Sequence, residues 1–530
     1  MLAQDQKCIV EEVVQRVLTR YGTAPQHIEQ AIFDTLYEER RRLETERPSA
    51  AARDQAAFYD RLQAESLKSG APRQRELLRE CIRRFAEEIC GHFDRRVYAL
   101  ATRAIPTGLS LLLNALSPVK LARSLPRGFS DLDDGLAIVG HHGALRKLGQ
   151  RGTLVLVPTH SSNLDSILMG YAIYRMGLPP HLYGAGLNLF HNKLIGFFMH
   201  NLGAYKVDRR KKAAVYKEAL KTYAGCTMEA GYHNLFFPGG TRCRSGVIER
   251  HLKLGLLGMA LDAYIHNLMA RKPKPDVFVV PCTINYELVL EAETLIEDHL
   301  KEAGKARYII EDDEFSKPRR VLEFVKKLLS LDSRVHLVVG QPLDVFGNRV
   351  TEEGVSLDSR GRPVDRTRYV LRGGAPTFDA QRDDELTREL AATIHDSYLR
   401  HTMPSSTSIL CHVVFTWLRE RAPEMDLYRL LRTGGTVDSL ALSEAYERVD
   451  RALRSLRKLA ARDELRLDGV LTQADVPTVV NKALTLLGSY HRRPAVVRRG
   501  DRLFHQDRNL LFYYQNRLEG YPLGPGRGSV

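Results

Sequence analysis

From about residue 150 to 340 the chain alternates two kinds of segment. Short β-rich runs recur: TLVLVP (153–158), HLYGAG (181–186), GAYKV (203–207), NLFFP (234–238), VFVVP (277–281) and VHLVVG (335–340). Helical stretches separate them, first NLDSILMGYAIYRMG, then segments near 191–201, 211–231, 247–270 and 314–330. Parallel strands need a crossover, and a helix is the usual one, so this alternation predicts an α/β fold with a largely parallel sheet. In such sheets ligands sit beyond the carboxyl ends of the strands. The strand ends are therefore where chemistry is to be sought.

The chain has 530 residues, enough for two or three domains. Residues 1–145 read as a helical N-terminal domain, with charged stretches such as RQRELLRECIRRFAEEICGHFDRRV carrying apolar positions at helical spacing. DLDDG near 131 and the Gly-His-His-Gly cluster near 140 mark a connector. Residues 146–347 form the α/β domain. Residues 348–379, rich in charge, glycine and proline, read as a linker or loop, and 380–530 as a helical C-terminal domain ending in a disordered tail.

A formal charge of +14 favours anionic partners: nucleic acid, an anionic membrane surface or phosphorylated small molecules. Basic residues interleaved with aromatics, as single-strand binders use, are not evident, so no nucleic acid is expected. The seven cysteines show no CxxC pair and no zinc spacing, which predicts free thiols and no metal. The opening MLAQDQKCIVEEVVQR lacks the pattern of a secretory leader. The most apolar stretch, AIPTGLSLLLNALSPV (104–119), is too short for a membrane crossing and reads as an interfacial or core helix.

Four strand ends carry polar groups that fit catalysis or anion binding. HSSNLD (160–165) closes the first strand. On one helix His160 and Asp165 would point about 140° apart, so they meet only if His160 sits on the turn and Asp165 in the first helical turn. An aspartate on one imidazole nitrogen would free the other to take a proton. Alternatively, Asp165 complements the helix dipole and His160 is a loop residue. LGAYKVDRRKK (202–212) offers Arg209 to a phosphate, while Arg210, Lys211 and Lys212 read as the solvated start of a helix.

FFPGGTRCRSG (236–246) reads as an anion-binding turn opening a helix, with the amides of Gly240 and Thr241, the side chains of Arg242 and Arg244, and Ser245 as helix cap or donor. A plain strand-to-helix turn with surface arginines has the same composition. VVPCTINYE (279–287) puts Pro281 inside a strand, which needs either a special bend near the site or an edge position.

Taken together and in order, HSSNLD, GAYKVDR, FPGGTRCRSG and VVPCTINY resemble the signature blocks of the glycerolipid acyltransferases. GAGLNLF (184–190) and the tail LLFYYQNRLEGY (510–521) are most similar to glycerol-3-phosphate and dihydroxyacetone-phosphate acyltransferases. The resemblance implies an αβ core with a mixed, largely parallel sheet between helical flanks. It implies acyl transfer from acyl-CoA or acyl carrier protein to the sn-1 hydroxyl of glycerol 3-phosphate, at the cytoplasmic face of a membrane, with no cofactor. His160 would be the base, Asp165 its orienter, and Arg209, Gly240, Thr241, Arg242, Arg244 and Ser245 the phosphate site, with Pro281 in support.

Two positions depart from the pattern. Gly239 stands where the family has glutamate, and Cys243 where serine is usual. Either another acidic residue, such as Glu249 or Asp208, substitutes from space, or the protein has a changed acceptor or binds acyl thioesters and lipids with impaired catalysis. Dihydroxyacetone phosphate and lysophospholipids are the alternative acceptors.

Overall fold

The computed structural model describes residues 3–22, 24–46, 48–102, 136–187, 193–303, 335–435 and 438–523. The segments 104–119 and 314–330 and residues 524–530 of the tail lie outside them. Four helices lead: α1 (Ala3–Arg20), α2 (Pro25–Glu44), α3 (Ala50–Ser66) and α4 (Ala71–Ile89). In α4 the residues Leu77, Leu78, Cys81, Ile82, Phe85, Ala86 and Ile89 recur at three- and four-residue spacing and are all buried.

The α/β region holds seven strands: β1 (Leu136–Gly140), β2 (Thr153–Pro158), β3 (Leu182–Gly186), β4 (Ala204–Val207), β5 (Asn234–Leu235), β6 (Val277–Asn285) and β7 (Val335–Val339). They form one sheet in the order β1-β7-β6-β2-β5-β3-β4. The five strands from β6 to β4 are mutually parallel. β7 is antiparallel to β6, and β1 is parallel to β7, so the sheet is mixed and largely parallel. Every residue of β2 and β6 is buried, as expected for central strands covered on both faces. The covering helices of this region are α5 (Leu164–Arg175), α6 (Lys193–Asn201), α7 (Ala214–Glu229), α8 (Leu254–Met269) and α9 (Ala292–Ala303).

Some sequence expectations are corrected. LAIVG (136–140) is a strand, not part of a connector; its partner β7 lies two hundred residues away, out of reach of local pattern. Only Asn234 and Leu235 of NLFFP pair as strand. The helix expected from 247 begins at Leu254. Pro281 is not on an edge strand, because β6 lies third in the sheet. Cys282 faces Val339 and Val279 faces Leu343, so the partner segment carries one extra residue between those pairs. Proline, which has no amide hydrogen to donate, sits opposite this bulge, while its carbonyl accepts from Gly340 N at 2.8 Å.

Residues 348–379 are organised by a buried aspartate. Asp344 accepts from Phe346 N, Asn348 N and Ser356 Oγ, and the segment carries two short hairpins. The main C-terminal helices are α10 (Ala380–His401), α11 (Ser406–Arg421), α12 (Leu442–Ala461), α13 (Val476–Leu487) and α14 (Arg508–Gln515). Their buried faces join the sheet in one continuous apolar core. Tyr398 of α10 donates its hydroxyl to Val157 O in β2 at 2.8 Å. Among the described residues no helix is long and apolar enough to cross a membrane, and all seven cysteines are free.

The N-terminal helices form a second core, which reaches the α/β region through Tyr205, Tyr216, Ala219 and Tyr223. A buried ion network reinforces the contact. Lys211 Nζ lies 3.0 Å from Glu39 and 2.9 Å from Glu88, and Arg42 lies 2.8 Å from Glu39. Lys211 is thus not part of a solvated basic run: its side chain is 4% exposed, and the ring of Phe85 lies under the ammonium. Removing one member of such a network leaves buried charge uncompensated. Glu39→Ala is expected to lower unfolding stability by about 3 kcal/mol, as read by denaturant titration. A loss below about 1 kcal/mol, the level of a surface pair, would show that the network does not hold the helices.

Candidate active site

The first strand end builds a histidine–aspartate pair. After Pro158 the turn is pinned to β6, since Thr159 N donates to Cys282 O and Ile284 N donates to Thr159 Oγ1. Pro281 therefore supports the site through its neighbour, while the proline itself faces the bulge. Helix α5 starts just after Asn163, which places Asp165 in the first turn. His160 Nδ1 lies 2.9 Å from Asp165 Oδ2. The same oxygen accepts the amides of Ser161 at 2.7 Å and Ser162 at 2.9 Å, and Oδ1 accepts the hydroxyl of Tyr286. Asp165 has no exposed side-chain surface. A carboxylate can only accept here, so Nδ1 carries the hydrogen and Nε2 holds the lone pair.

The imidazole stacks on Phe237, with ring centroids 4.0 Å apart. Burial lowers the proton affinity of His160, Asp165 opposes that shift, and the charges of Arg242 and Arg209 add to it. A neutral ring with a free Nε2 is the form a general base requires.

The arginine-bearing turn folds against this pair. Cys243 N donates to His160 O at 2.7 Å, and Lys253 N donates to Pro238 O at 2.8 Å. Arg209 donates to Gly240 O and stays accessible to solvent. Partial desolvation, then the positive charges of Arg242 and Arg244, lower the pKa of Arg209, so the three arginines share one neighbourhood. Arg242 lies 3.4 Å from the buried Glu291 and Arg244 lies 3.0 Å from Asp298. Glu291 also accepts from Ser162 Oγ at 2.7 Å and Asn163 N at 3.0 Å, joining the arginine turn to the histidine turn. A cavity of about 340 Å³ opens here, lined by Gly239, Thr241, Arg242, Arg244, Ser245 and Glu249 among others.

Two expected roles change. The amide of Gly240 is committed to Phe237 O at 2.9 Å, inside the turn. Ser245 accepts from Val247 N and caps the turn, not a helix, since α8 begins nine residues later. The positive end of α8 therefore does not lie at this turn. Sequence reasoning passed over Glu291, Tyr286, Phe237 and Lys253, whose side chain crosses the face of Gly240. Tyr286 lies within the VVPCTINYE block and Phe237 within FFPGGTRCRSG; Glu291 and Lys253 carry no spacing signal.

The C-terminal tail buttresses the turn. Asn516 Nδ2 donates to Ser245 O at 2.8 Å, and a Cβ on Gly246, where φ is +81°, would meet Tyr513 O at 2.2 Å. Arg517 reaches Ile284 O and Asn285 Oδ1. A larger cavity of about 850 Å³ between α1, α7, α8 and α10 includes none of the dyad or arginine-turn residues.

Residues 141–285, from β1 through the end of β6, match the family model described as Acyltransferase. Over this span the chain is similar to that family. A glycerol-3-phosphate acyltransferase from Xanthomonas axonopodis pv. citri is 31% identical over 163 residues, covering 30% of this chain and 18% of the relative. One from Actinobacillus succinogenes is 31% identical over 231 residues, covering 43% of this chain and 26% of the relative. One from Pseudomonas aeruginosa is 31% identical over 176 residues, covering 33% and 20%. The chain thus spans about a fifth to a quarter of the length of these curated relatives.

Glu249 joins the site through the backbone, accepting His160 N at 3.0 Å. Burial raises its pKa to about 8; the His160 amide and Arg517 oppose the shift, and Asp165 adds to it. The unfolded chain then loses this proton at lower pH than the folded one, so the contribution to stability falls as pH rises from 4.5 to about 8. The difference in unfolding free energy between wild type and Glu249→Gln should decline across that window, at up to about 1.4 kcal/mol per pH unit. A flat difference would show that Glu249 ionises normally.

Proposed function

We propose that the protein transfers an acyl group from acyl-CoA or acyl carrier protein to the sn-1 hydroxyl of glycerol 3-phosphate, giving lysophosphatidic acid. The observation that carries this reading is the junction of a buried His160–Asp165 pair with a three-arginine turn, bridged by Glu291. A base beside an anion cradle suits an acceptor with a hydroxyl at one end and a phosphate at the other. The names of the relatives point to the same acceptor.

The step runs as follows. Nε2 of His160 takes the hydroxyl proton as the oxygen attacks the thioester carbonyl, and Asp165 holds the resulting imidazolium. The tetrahedral adduct expels the thiolate, which needs little acid assistance because its conjugate thiol has a pKa of about 8.5. His160 then gives its proton to the released thiolate. No covalent enzyme intermediate and no cofactor enters. Arg209, Arg242 and Arg244 would hold the phosphate. Dihydroxyacetone phosphate would meet the same cradle and is the alternative acceptor. The charge of +14 and the lipid product favour peripheral attachment at the cytoplasmic face of an anionic membrane.

Thiol release from palmitoyl-CoA should depend on glycerol 3-phosphate and fall about 10²- to 10⁴-fold in His160→Ala. The rate should hold at neutral pH and decline only below the ordinary histidine value, because the folded site lowers the pKa of His160. Acceptor-independent release, or an unchanged rate in His160→Ala, would overturn the mechanism. Arg209→Ala should raise KM for the acceptor more than it lowers kcat, as loss of ground-state phosphate binding does; the reverse split would remove Arg209 from the phosphate site.

A further inference from the structure

The glycine at position 239 leaves a hole in the turn, and the structure shows what fills it. A Cβ built on Gly239 would lie 2.8 Å from the carboxyl carbon of Glu249, 2.8 Å from its Oε1 and 3.1 Å from its Oε2. In a glutamate the carboxyl carbon stands two bonds beyond Cβ, a span of about 2.5 Å. A glutamate side chain at position 239 could therefore bring its own carboxyl group to the place where that of Glu249 already lies. The two could not occupy it together.

Position and bonding set Glu249 apart from the other acidic groups nearby. Its Oε1 accepts the backbone amide of His160 at 3.0 Å. The carbonyl of that same histidine accepts Cys243 N at 2.7 Å. The turn carrying the dyad is thus held on both sides of its peptide unit by the segment 243–249. Glu249 is in turn held by α10, since His395 Nδ1 donates to Glu249 O at 2.8 Å. Its Oε2 is buried and has no hydrogen-bond partner among the described residues. Asp208, the other acidic candidate, accepts the amide and guanidinium of Arg210 instead. Asp165 is fully engaged by His160, Ser161, Ser162 and Tyr286.

We infer that Glu249 supplies, from ten residues along the chain, the carboxyl group that position 239 lacks, and acts as a positioning residue for His160. The inference rests on the proposed acyl transfer. It assigns the chain a relocated carboxyl group in place of a lost one, so Gly239 is the partner of Glu249 and not a lesion.

The test is a cycle of four proteins: wild type, Glu249→Ala, Gly239→Glu, and the double substitution. Each is assayed for thiol release from palmitoyl-CoA with glycerol 3-phosphate or dihydroxyacetone phosphate, and each is melted. Glu249→Ala should lower kcat about tenfold or more with little change in KM, because it loosens the base without touching the phosphate site. Gly239→Glu alone should also lose about tenfold, since two carboxyl groups then compete for one place. The double variant should return to within about threefold of wild type. A merely structural role for Glu249 would not produce that return. Wild-type activity in Glu249→Ala, or losses that simply add in the double variant, would overturn the inference and leave the acyl-transfer reading intact.

If wild type transfers to neither acceptor, the acyl-transfer reading fails, and the shared place is judged from melting alone. Gly239→Glu should then lower Tm with Glu249 present and much less in the E249A background. Equal losses in both backgrounds would overturn the shared place as well.

Discussion

Four donors converge on one buried carboxylate. Asp165 receives the imidazole of His160, the amides of Ser161 and Ser162, and the hydroxyl of Tyr286. A carboxylate without solvent is costly unless its lone pairs are filled, and here protein fills them. The arrangement fixes more than a side chain. It sets the backbone of the turn after β2, the direction of the imidazole, and the place of the segment after β6 that bears Tyr286. Had either segment shifted, the aspartate would have lost a donor. The rest of the site is assembled around this point, through Glu291 on one side and Glu249 on the other.

The same logic explains why the α/β region carries helices at both ends. A turn with two adjacent glycines and three nearby cations would not hold its shape alone: glycine is permissive, and like charges repel. Support comes from outside the sheet. Lys211 is anchored to Glu39 and Glu88 of the N-terminal helices, and this fixes the loop from which Arg209 reaches Gly240. Asn516 and Tyr513 of the tail close on Ser245 and Gly246. Pro281, opposite the bulge that follows β7, keeps its register with β2 and leaves Cys282 placed to hold Thr159.

Much of this was legible in the residues. The period of strand and helix announced an α/β sheet. The HSSNLD spacing allowed His160 and Asp165 to meet in one geometry, and that geometry is present. The less legible parts share a physical cause: they depend on contacts distant in sequence. Nothing in LAIVG says that it pairs with a strand two hundred residues on. Lys211 looks like its exposed neighbours Arg210 and Lys212 until Glu39 is placed against it. The start of α8 was misjudged because IERHLK has helical composition, whereas its backbone is drawn off the helical path by bonds such as Lys253 N to Pro238 O. Local propensity yields where tertiary partners claim the amides.

Glu249 shows why a motif is better read as a volume than as a string. Along the chain, Gly239 looks like the loss of a charged group. In space the position is occupied, and a side chain at 239 would collide with what is there. A glycine and an acid ten residues later are then a single feature, since either alone would leave a void or a clash. The residue that carries the carboxyl group is tied to α10 by the His395 bond to its backbone. Its backbone is therefore held by the C-terminal helices and not by the flexible Gly-Gly peptide. That trade lets the arginine turn keep its backbone freedom while the group that steadies His160 is carried by a more rigid support.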